Sequence, residues 1–367
     1  MTTPPPGRPA AIPLTILTGF LGAGKTTLLN RLVQDPDLSD TVVIINEFGE
    51  IGLDHLLVES VSDGMILLSA GCLCCTVRGD LIATLEDLLR KRDNGRIAPF
   101  RRVVIETTGL ADPAPILHAV LYHPYLSLRY VLQSVVTVVD AVNGAQTLDE
   151  HAESVRQVAV ADRIVLTKTD LATPAQVSAL RERLARLAPG APVVVAVDGA
   201  APARDVLGQG LFGLDGKLSD VAGWLQAEAV EEAELAAHEA AHGRHHHHHH
   251  GHDHHHDHAH GDHGHDHHDH HAHGHHHDVN RHDASIRAFC LTHDKPVSHG
   301  AFDMFLDLLR SAHGPKLLRV KGLVSLADDP DRPVLIHGVQ HVFHVPAVLE
   351  AWPDADHRSR IVFIVKD

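Results

Sequence analysis

The stretch GFLGAGKT, Gly19 to Thr26, constrains this chain more than any other. It satisfies the pattern G-x-x-x-x-G-K-[ST] at every fixed position, between a strand-like run, LTILTG (14–19), and a helix-like one, TTLLNRLV. A loop of this kind needs that setting, because the strand ends where the loop begins and the loop opens directly into a helix. Its glycines let successive backbone N–H groups curl around phosphates, and the helix N-terminus adds donors and a favourable dipole. Lys25 is then placed to reach the β and γ phosphates, and Thr26 to offer its hydroxyl to Mg²⁺. Gly19, Gly22, Gly24, Lys25, Thr26 and Thr27 are expected to hold a nucleoside triphosphate. A plain glycine-rich turn is the competing reading, and the complete pattern in its required setting argues against it.

The rest of the chain supplies the matching architecture. TVVIIN (41–46), RVVIET (102–107), VVTVVD (135–140), RIVLTK (163–168) and PVVVAV (192–197) alternate with segments of helical period such as GDLIATLEDLLRKR and VSALRERLARLA. Strands that are apolar on both sides, alternating with helices, indicate an α/β P-loop domain with a mainly parallel sheet covered on both faces. The alternation stops near residue 222. WLQAEAVEEAELAAHEAAHG then reads as an exposed helix, and the tract from His245 to His277 is mostly histidine broken by Asp and Gly. Such a tract cannot bury a core and is expected to be a disordered linker. Beyond Asp283 the pattern resumes with a strand (SIRAFCLTH), an amphipathic helix (AFDMFLDLLRSA) and strand-like LLRVKGLVSLA, PVLIHGVQHVFHV and RIVFIVKD. One helix against three or four antiparallel strands is expected there. The domain plan is thus a disordered leader (1–12), a P-loop domain (13–222), a helix with a His-rich linker (223–283) and a small α+β C-terminal domain (284–367).

A chain of 367 residues is long for one core, in keeping with two domains. Its formal charge of −16, with 36 histidines counted neutral, argues against nucleic-acid binding, which needs a basic face. No stretch approaches the roughly 18 consecutive apolar residues that would span a bilayer. The opening MTTPPPGRPA lacks the pattern of a secretory signal, so a cytoplasmic protein is expected.

Two strand ends suggest which nucleotide binds. LTKTD carries Lys168 and Asp170 in the arrangement of a guanine-reading N-K-x-D motif, with Thr167 in the first position in place of Asn. A carboxylate at Asp170 can accept from both the N1–H and the exocyclic amine of guanine, a pair adenine does not offer. Lys168 would lie over the base and brace the phosphate loop, and the Thr167 hydroxyl can make part of the bonds Asn would. An unrelated charged loop is the alternative. In ETTGLADP, Glu106 sits where P-loop proteins carry the acidic residue of the Mg²⁺ shell, so Lys25, Thr26 and Glu106 form the expected catalytic set. The N–H of Gly109 is placed to sense a γ-phosphate.

Three of the four cysteines, Cys72, Cys74 and Cys75, crowd into GCLCC. Disulfide geometry is difficult at that spacing, and cytosolic disulfides are rare. Thiolates at C-x-C-C spacing, with Gly71 permitting a tight turn, can converge on one soft cation such as Zn²⁺, which prefers four ligands. The fourth position would then be left to another group or to an acceptor. Buried structural cysteines or a redox site are the other readings.

GFLGAGKTTLLN, INEFGEIGLD, GCLCC, ETTGLADPAP and LTKTDL, in this order, resemble the CobW family of P-loop GTPases, which belongs with the metal-centre maturation GTPases and includes zinc metallochaperones. The resemblance covers the whole P-loop domain, and the region after 284 is similar to the family's C-terminal domain. It implies a GTPase that carries Zn²⁺, or sometimes Co²⁺, and hands it to a client metalloenzyme; the histidine tract would also tolerate Ni²⁺. The resemblance also implies that Cys72, Cys74 and Cys75 are metal ligands. Glu50, in NEFGE, is a candidate fourth ligand or switch contact, or else a solvated loop carboxylate. Some relatives carry a further acidic residue just before the Asn of that segment, where this chain has Ile45. The histidine tract would add a weak, reversible metal reservoir or serve as a spacer. The C-terminal unit would present a surface for the client or for self-association. Cobalt handling for cobalamin synthesis, nitrile hydratase activation, a passive His-rich metal buffer and a small-molecule kinase are rival readings. Nothing in the sequence marks a residue that positions the hydrolytic water.

Overall fold

The first strand, β1 (Ile12–Gly19), is buried at almost every position because sheet neighbours flank it on both edges and helices cover both faces. The computed structural model of the protein describes residues 11–46, 58–61, 65–70, 77–208, 286–312 and 316–366. Within these, β2 (Thr41–Asn46), β3 (Val58–Val61), β4 (Met65–Ala70), β5 (Arg102–Glu106), β6 (Tyr130–Asp140), β7 (Arg163–Thr167) and β8 (Val193–Val195) join β1 in one eight-stranded sheet. The order is β3-β4-β2-β5-β1-β6-β7-β8, parallel throughout except for the antiparallel β3–β4 pair at one edge.

One face of the sheet is covered by α2 (Val77–Asp93) and α3 (Ala114–Tyr122), whose Leu81, Leu85, Leu89, Ile116 and Val120 pack on Leu14, Ile16, Val103 and Ile105. The other face receives α1 (Lys25–Leu32) through Leu28, Leu29 and Leu32. Three more helices cover β6 and β7: α5 (Gly144–Glu150), α6 (Ala152–Ala159) and α7 (Pro174–Leu187). The last begins in a full capping box between Thr173 and Gln176, with Pro174 in its first turn. Short helices α4 (Leu126–Arg129) and α8 (Ala203–Val206) complete this part.

The strands differ from the sequence reading in length. β6 starts at Tyr130, not at Val135, because polar Gln133 and Ser134 are accommodated at a register shift against Leu14 and Thr15, where the Thr15 and Ser134 hydroxyls meet at 3.5 Å. β8 is only three residues long.

The second sheet holds β9 (Ile286–His293), β10 (Leu317–Leu326), β11 (Asp329–Val339), β12 (Val342–Phe343), β13 (Ala347–Val348) and β14 (Ser359–Lys366), in the order β12-β11-β10-β14-β9, with β13 also on β11. One helix, α9 (His299–Ala312), packs Phe302, Leu306 and Leu309 on one face of it. The segment PVLIHGVQHVFHV is therefore not one strand: it folds back at Gln340–His341 into a two-residue hairpin.

The two sheets share an interface. Val339 and Val342 at that hairpin tip belong to the same apolar cluster as α2 and α3, and the Tyr122 hydroxyl both donates to the Phe343 carbonyl and accepts from its N–H, at 2.7 and 2.8 Å. Arg319, 3% exposed on β10, donates to Asp162 just before β7 at 2.5 Å and to the Ala161 carbonyl. Lys321 lies 3.6 Å from the same carboxylate. Burial opposes ionisation of Asp162, but Arg319, Lys321 and the Val135 N–H outweigh it and hold the carboxyl below its usual range. Beside this pair the rings of buried His337 and half-buried His344 stack at 4.7 Å and 3°.

Burial, followed by neighbouring charge, keeps both imidazoles neutral, His344 with a pKa lowered to about 4 and His337 well below its ordinary value. Groups with depressed folded pKa values contribute stability that is fully present above the unfolded value and is lost as pH falls through the folded one. The expected outcome is an unfolding free energy that declines as pH drops from 6.5 to about 4. In urea titrations across that window, His344→Gln should show a flatter decline; an unchanged slope would contradict the assignment.

Candidate nucleotide and metal site

The phosphate loop takes its shape from close packing under its first residue. Gly19 has φ 141°, and a Cβ there would lie 2.3 Å from the Val138 carbonyl oxygen, so only glycine lets β1 turn off the sheet at this point. Gly22 and Gly24 follow with positive φ, and Gly24 caps α1, placing Lys25 and Thr26 as its first two residues. The buried Lys25 amine arches back to the Phe20 carbonyl at 3.1 Å.

Beside the loop, β5 pairs with β1 so that Glu106 lies opposite Leu17. The register brings the Thr26 hydroxyl to donate to Glu106 Oε1 at 2.7 Å. Thr107 locks the same strand end, its hydroxyl 2.8 Å from that of Thr18. Thr26 and the 4%-exposed Glu106 carboxylate form an oxygen-only donor set, which suits a hard cation of the Mg²⁺ type.

On the other side, β7 delivers the guanine-motif residues. The Thr167 hydroxyl, 3% exposed, donates to the Ala23 carbonyl at 2.7 Å, directly beneath the loop. Lys168 adopts φ 56°, and its amine bridges the Gly22 carbonyl at 2.9 Å and Asp140 at 2.6 Å. Asp140 is itself set at the end of β6; burial opposes its ionisation, but Lys168 and donors from Val142 and Asn143 prevail and lower its pKa. Asp170 stands exposed on the turn after β7.

Three contributors escape a reading of motifs alone. Asp140 seats the lysine, and the only signal of this is a carboxylate ending an otherwise uncharged strand. The Val197–Ala200 turn, with Asp198 and Gly199 both at positive φ, leans on Thr27, since a Cβ on Gly199 would lie 2.9 Å from that side chain; the Asp-Gly pair is its signal. Exposed Leu171 and Val197 stand on the two turns at this end. Gln157, 1% exposed on α6, donates its amide to the Gly109 and Ala111 carbonyls at 3.1 and 3.0 Å. Gly109 in turn lies against the loop, where a Cβ would come within 2.6 Å of the Leu21 nitrogen.

Cys72, Cys74, Cys75, Glu50 and the tract His245–His277 lie outside the described residues. Their anchors are described. Ala70, at the end of β4, pairs with Asn46 at the end of β2, and both strands run parallel to β1. The cysteine segment and NEFGE are thus attached to the rim that carries the phosphate loop, with β4 three strand spacings, about 14 Å, from β1. Among the described residues no group of three or more His, Cys, Asp or Glu side chains could hold a metal ion, and no helix is long and apolar enough to cross a membrane.

Comparison with known proteins agrees with this arrangement. Residues 13–195 match the family described as CobW/HypB/UreG, nucleotide-binding domain, and residues 286–367 match the cobalamin synthesis protein cobW C-terminal domain. The chain is 32% identical to the zinc chaperone YjiA of Escherichia coli over 96% of its own length and 93% of that protein. It is 34% identical to the zinc chaperone CobW of a Sinorhizobium species, over 58% of this chain and 65% of that one. The crystal structure of Zn(II)-bound YjiA GTPase from E. coli superposes with a TM-score of 0.62 at 28% identity, covering 98% of this chain and 95% of that one.

Thr167→Val keeps the side-chain shape and removes the hydroxyl that satisfies Ala23. The expected outcome is a loss of about 1–2 kcal/mol in unfolding free energy, measured in urea, together with weaker binding of GTP and GDP alike.

Proposed function

The chain belongs to the CobW family, and from that premise we propose that it is a GTP-hydrolysing metallochaperone that carries Zn²⁺ on Cys72, Cys74 and Cys75 and delivers it to a client metalloenzyme. The observation that carries this reading is the Thr26–Glu106 contact at 2.7 Å on the rim to which the cysteine segment is also attached. It supports a Mg²⁺-type donor pair at the strand ends, on the rim where β4, the strand before the cysteine segment, also ends.

In this reading the loop N–H groups from Gly19 to Thr27 hold the phosphates, and Lys25 leaves the Phe20 carbonyl to reach the terminal two. Thr26 and Glu106 hold Mg²⁺, which neutralises charge on the phosphate oxygens when bound. Asp170 reads the guanine edge, with Leu171 and Val197 as apolar walls, while Lys168 and Thr167 keep the loop rigid beneath. The Gly109 N–H donates to the terminal phosphoryl group, so its departure removes that bond and loosens the tip of the segment after β5 around Gly109. NEFGE leaves β2, which lies between β5 and β4 in the sheet, so Glu50 is the natural relay from that event to the cysteines.

The names of the relatives support zinc as the cargo, as does the sulfur donor set, since soft thiolates favour it over hard cations. Thiolates must be deprotonated to bind, so loading weakens as pH falls. Reduced thiols at this spacing fit a cytoplasmic setting. The histidine tract serves as a reservoir for Zn²⁺, Co²⁺ or Ni²⁺ near the cysteines.

Titrating Zn²⁺ into the protein with a non-hydrolysable GTP analogue, with GDP and without nucleotide tests the coupling. Affinities should differ by about tenfold between the two nucleotide states, and Zn²⁺ should change nucleotide affinity by the same factor. Equal affinities in all three states would favour a passive metal buffer. Cys74→Ser should abolish the tight equivalent; retention of it sinks the ligand assignment. A second test addresses the base: Asp170→Asn should weaken GTP by about tenfold or more without improving ATP, because a carboxylate accepting two bonds has been replaced.

A further inference from the structure

The hairpin tip of the second sheet reaches the nucleotide-sensing segment. Gln340, the first residue of the two-residue turn between β11 and β12, donates its amide to Asp112 Oδ2 at 2.9 Å. Asp112 closes the stretch Thr107–Asp112 that follows Glu106, and its other oxygen accepts the Ala114 N–H at the start of α3. Arg156 lies 4.0 Å from the same carboxylate. The stretch is therefore held at three points: Gly109 against Leu21 of the phosphate loop, Gly109 and Ala111 on Gln157, and Asp112 on Gln340.

The backbone at Gln340 adds a second observation. Its φ is 52°, the left-handed region, in a hairpin position where glycine is the favoured residue. A side chain with a γ-carbon is tolerated there at a backbone cost, and such outliers point to a role for the side chain. The tip cannot drift from its post, because Val339 and Val342 are buried in the first domain's core and Tyr122 holds both polar backbone groups of Phe343.

We propose that Gln340 is a positioning residue for the GTPase site: by fixing Asp112, the C-terminal sheet holds the Thr107–Asp112 segment where the Gly109 N–H meets the terminal phosphoryl group. This rests on the reading of the first domain as a GTPase. It assigns the second domain a part in the nucleotide cycle that is separate from any client surface, and it makes the Asp112–Gln340 bond a route by which a partner on that domain alters hydrolysis.

The test uses the full-length protein with Gln340→Gly and Gln340→Glu. The first relieves the strained backbone and deletes the donor; the second keeps the length and replaces the donor with a second carboxylate. Both should melt within a few degrees of the parent, Gln340→Gly at or above it. Both should bind a non-hydrolysable GTP analogue less tightly and hydrolyse GTP more slowly, by about five- to tenfold, with GDP affinity unchanged. Gln340→Glu should be the more affected. A purely structural role predicts the reverse for Gln340→Gly, a stable protein with parental kinetics, and that result overturns the proposal. Equal weakening of GDP and GTP overturns it too. A parent protein that hydrolyses no GTP would overturn the GTPase reading itself, and an active parent with unaffected variants would overturn the positioning role alone.

Discussion

Parallel pairing of β1 with β5 on one side and β6 on the other sends successive chain segments over the same rim of the sheet. Backbone hydrogen bonds set the register, and the register sets the site: Leu17 opposite Glu106 brings the Thr26 hydroxyl to a carboxylate eighty residues away. Gly19 can leave the sheet only because it has no Cβ to meet the Val138 carbonyl. A shift of one residue in the β1–β5 pairing would turn Glu106 to the opposite face and separate these partners.

The same rim carries a lattice of bonds beneath and behind the loop. Thr167 satisfies Ala23, Lys168 ties Gly22 to Asp140, and Gln157 ties the segment after β5 to α6. The Thr167 and Gln157 bonds are buried and the Lys168–Asp140 pair is half-buried, so these are costly to leave unmade. In the proposed reading, rigidity beneath the phosphates lets the loss of one phosphoryl group act as a discrete change in the segments above, rather than being absorbed by a soft support.

The second domain is joined to this frame by chemistry of two kinds. Apolar Val339 and Val342 enter the first domain's core, while Arg319 and Lys321 converge on the buried Asp162. A buried ion pair does not by itself argue for great stability, but removing one partner would leave a charge stranded, so the docking geometry is specified rather than loose. The paired imidazoles of His337 and His344 stay neutral in this setting and make the joint sensitive to acid.

Much of the site was legible in the chain order of amino acids because its chemistry is local. A phosphate loop needs glycines, a lysine and a hydroxyl at fixed spacing within eight residues, and an N-K-x-D-like turn is likewise a short-range pattern. The alternation of apolar strands and helices followed from periodicity alone, as did the single helix on the second sheet. The antiparallel β3–β4 edge, the early start of β6 and the hairpin at Gln340–His341 did not: they depend on neighbours supplied by distant segments, and Gln-His carries no turn signal. The roles of Asp140, Gln157 and Asp112 were equally hidden, since an isolated Asp or Gln acquires a purpose only from what packing places beside it. Short-range covalent order thus determined what chemistry this protein can perform. Tertiary structure alone decided which side chains brace that chemistry and which part of the second sheet touches it, because those contacts join residues up to 228 positions apart and exist only once both sheets have formed.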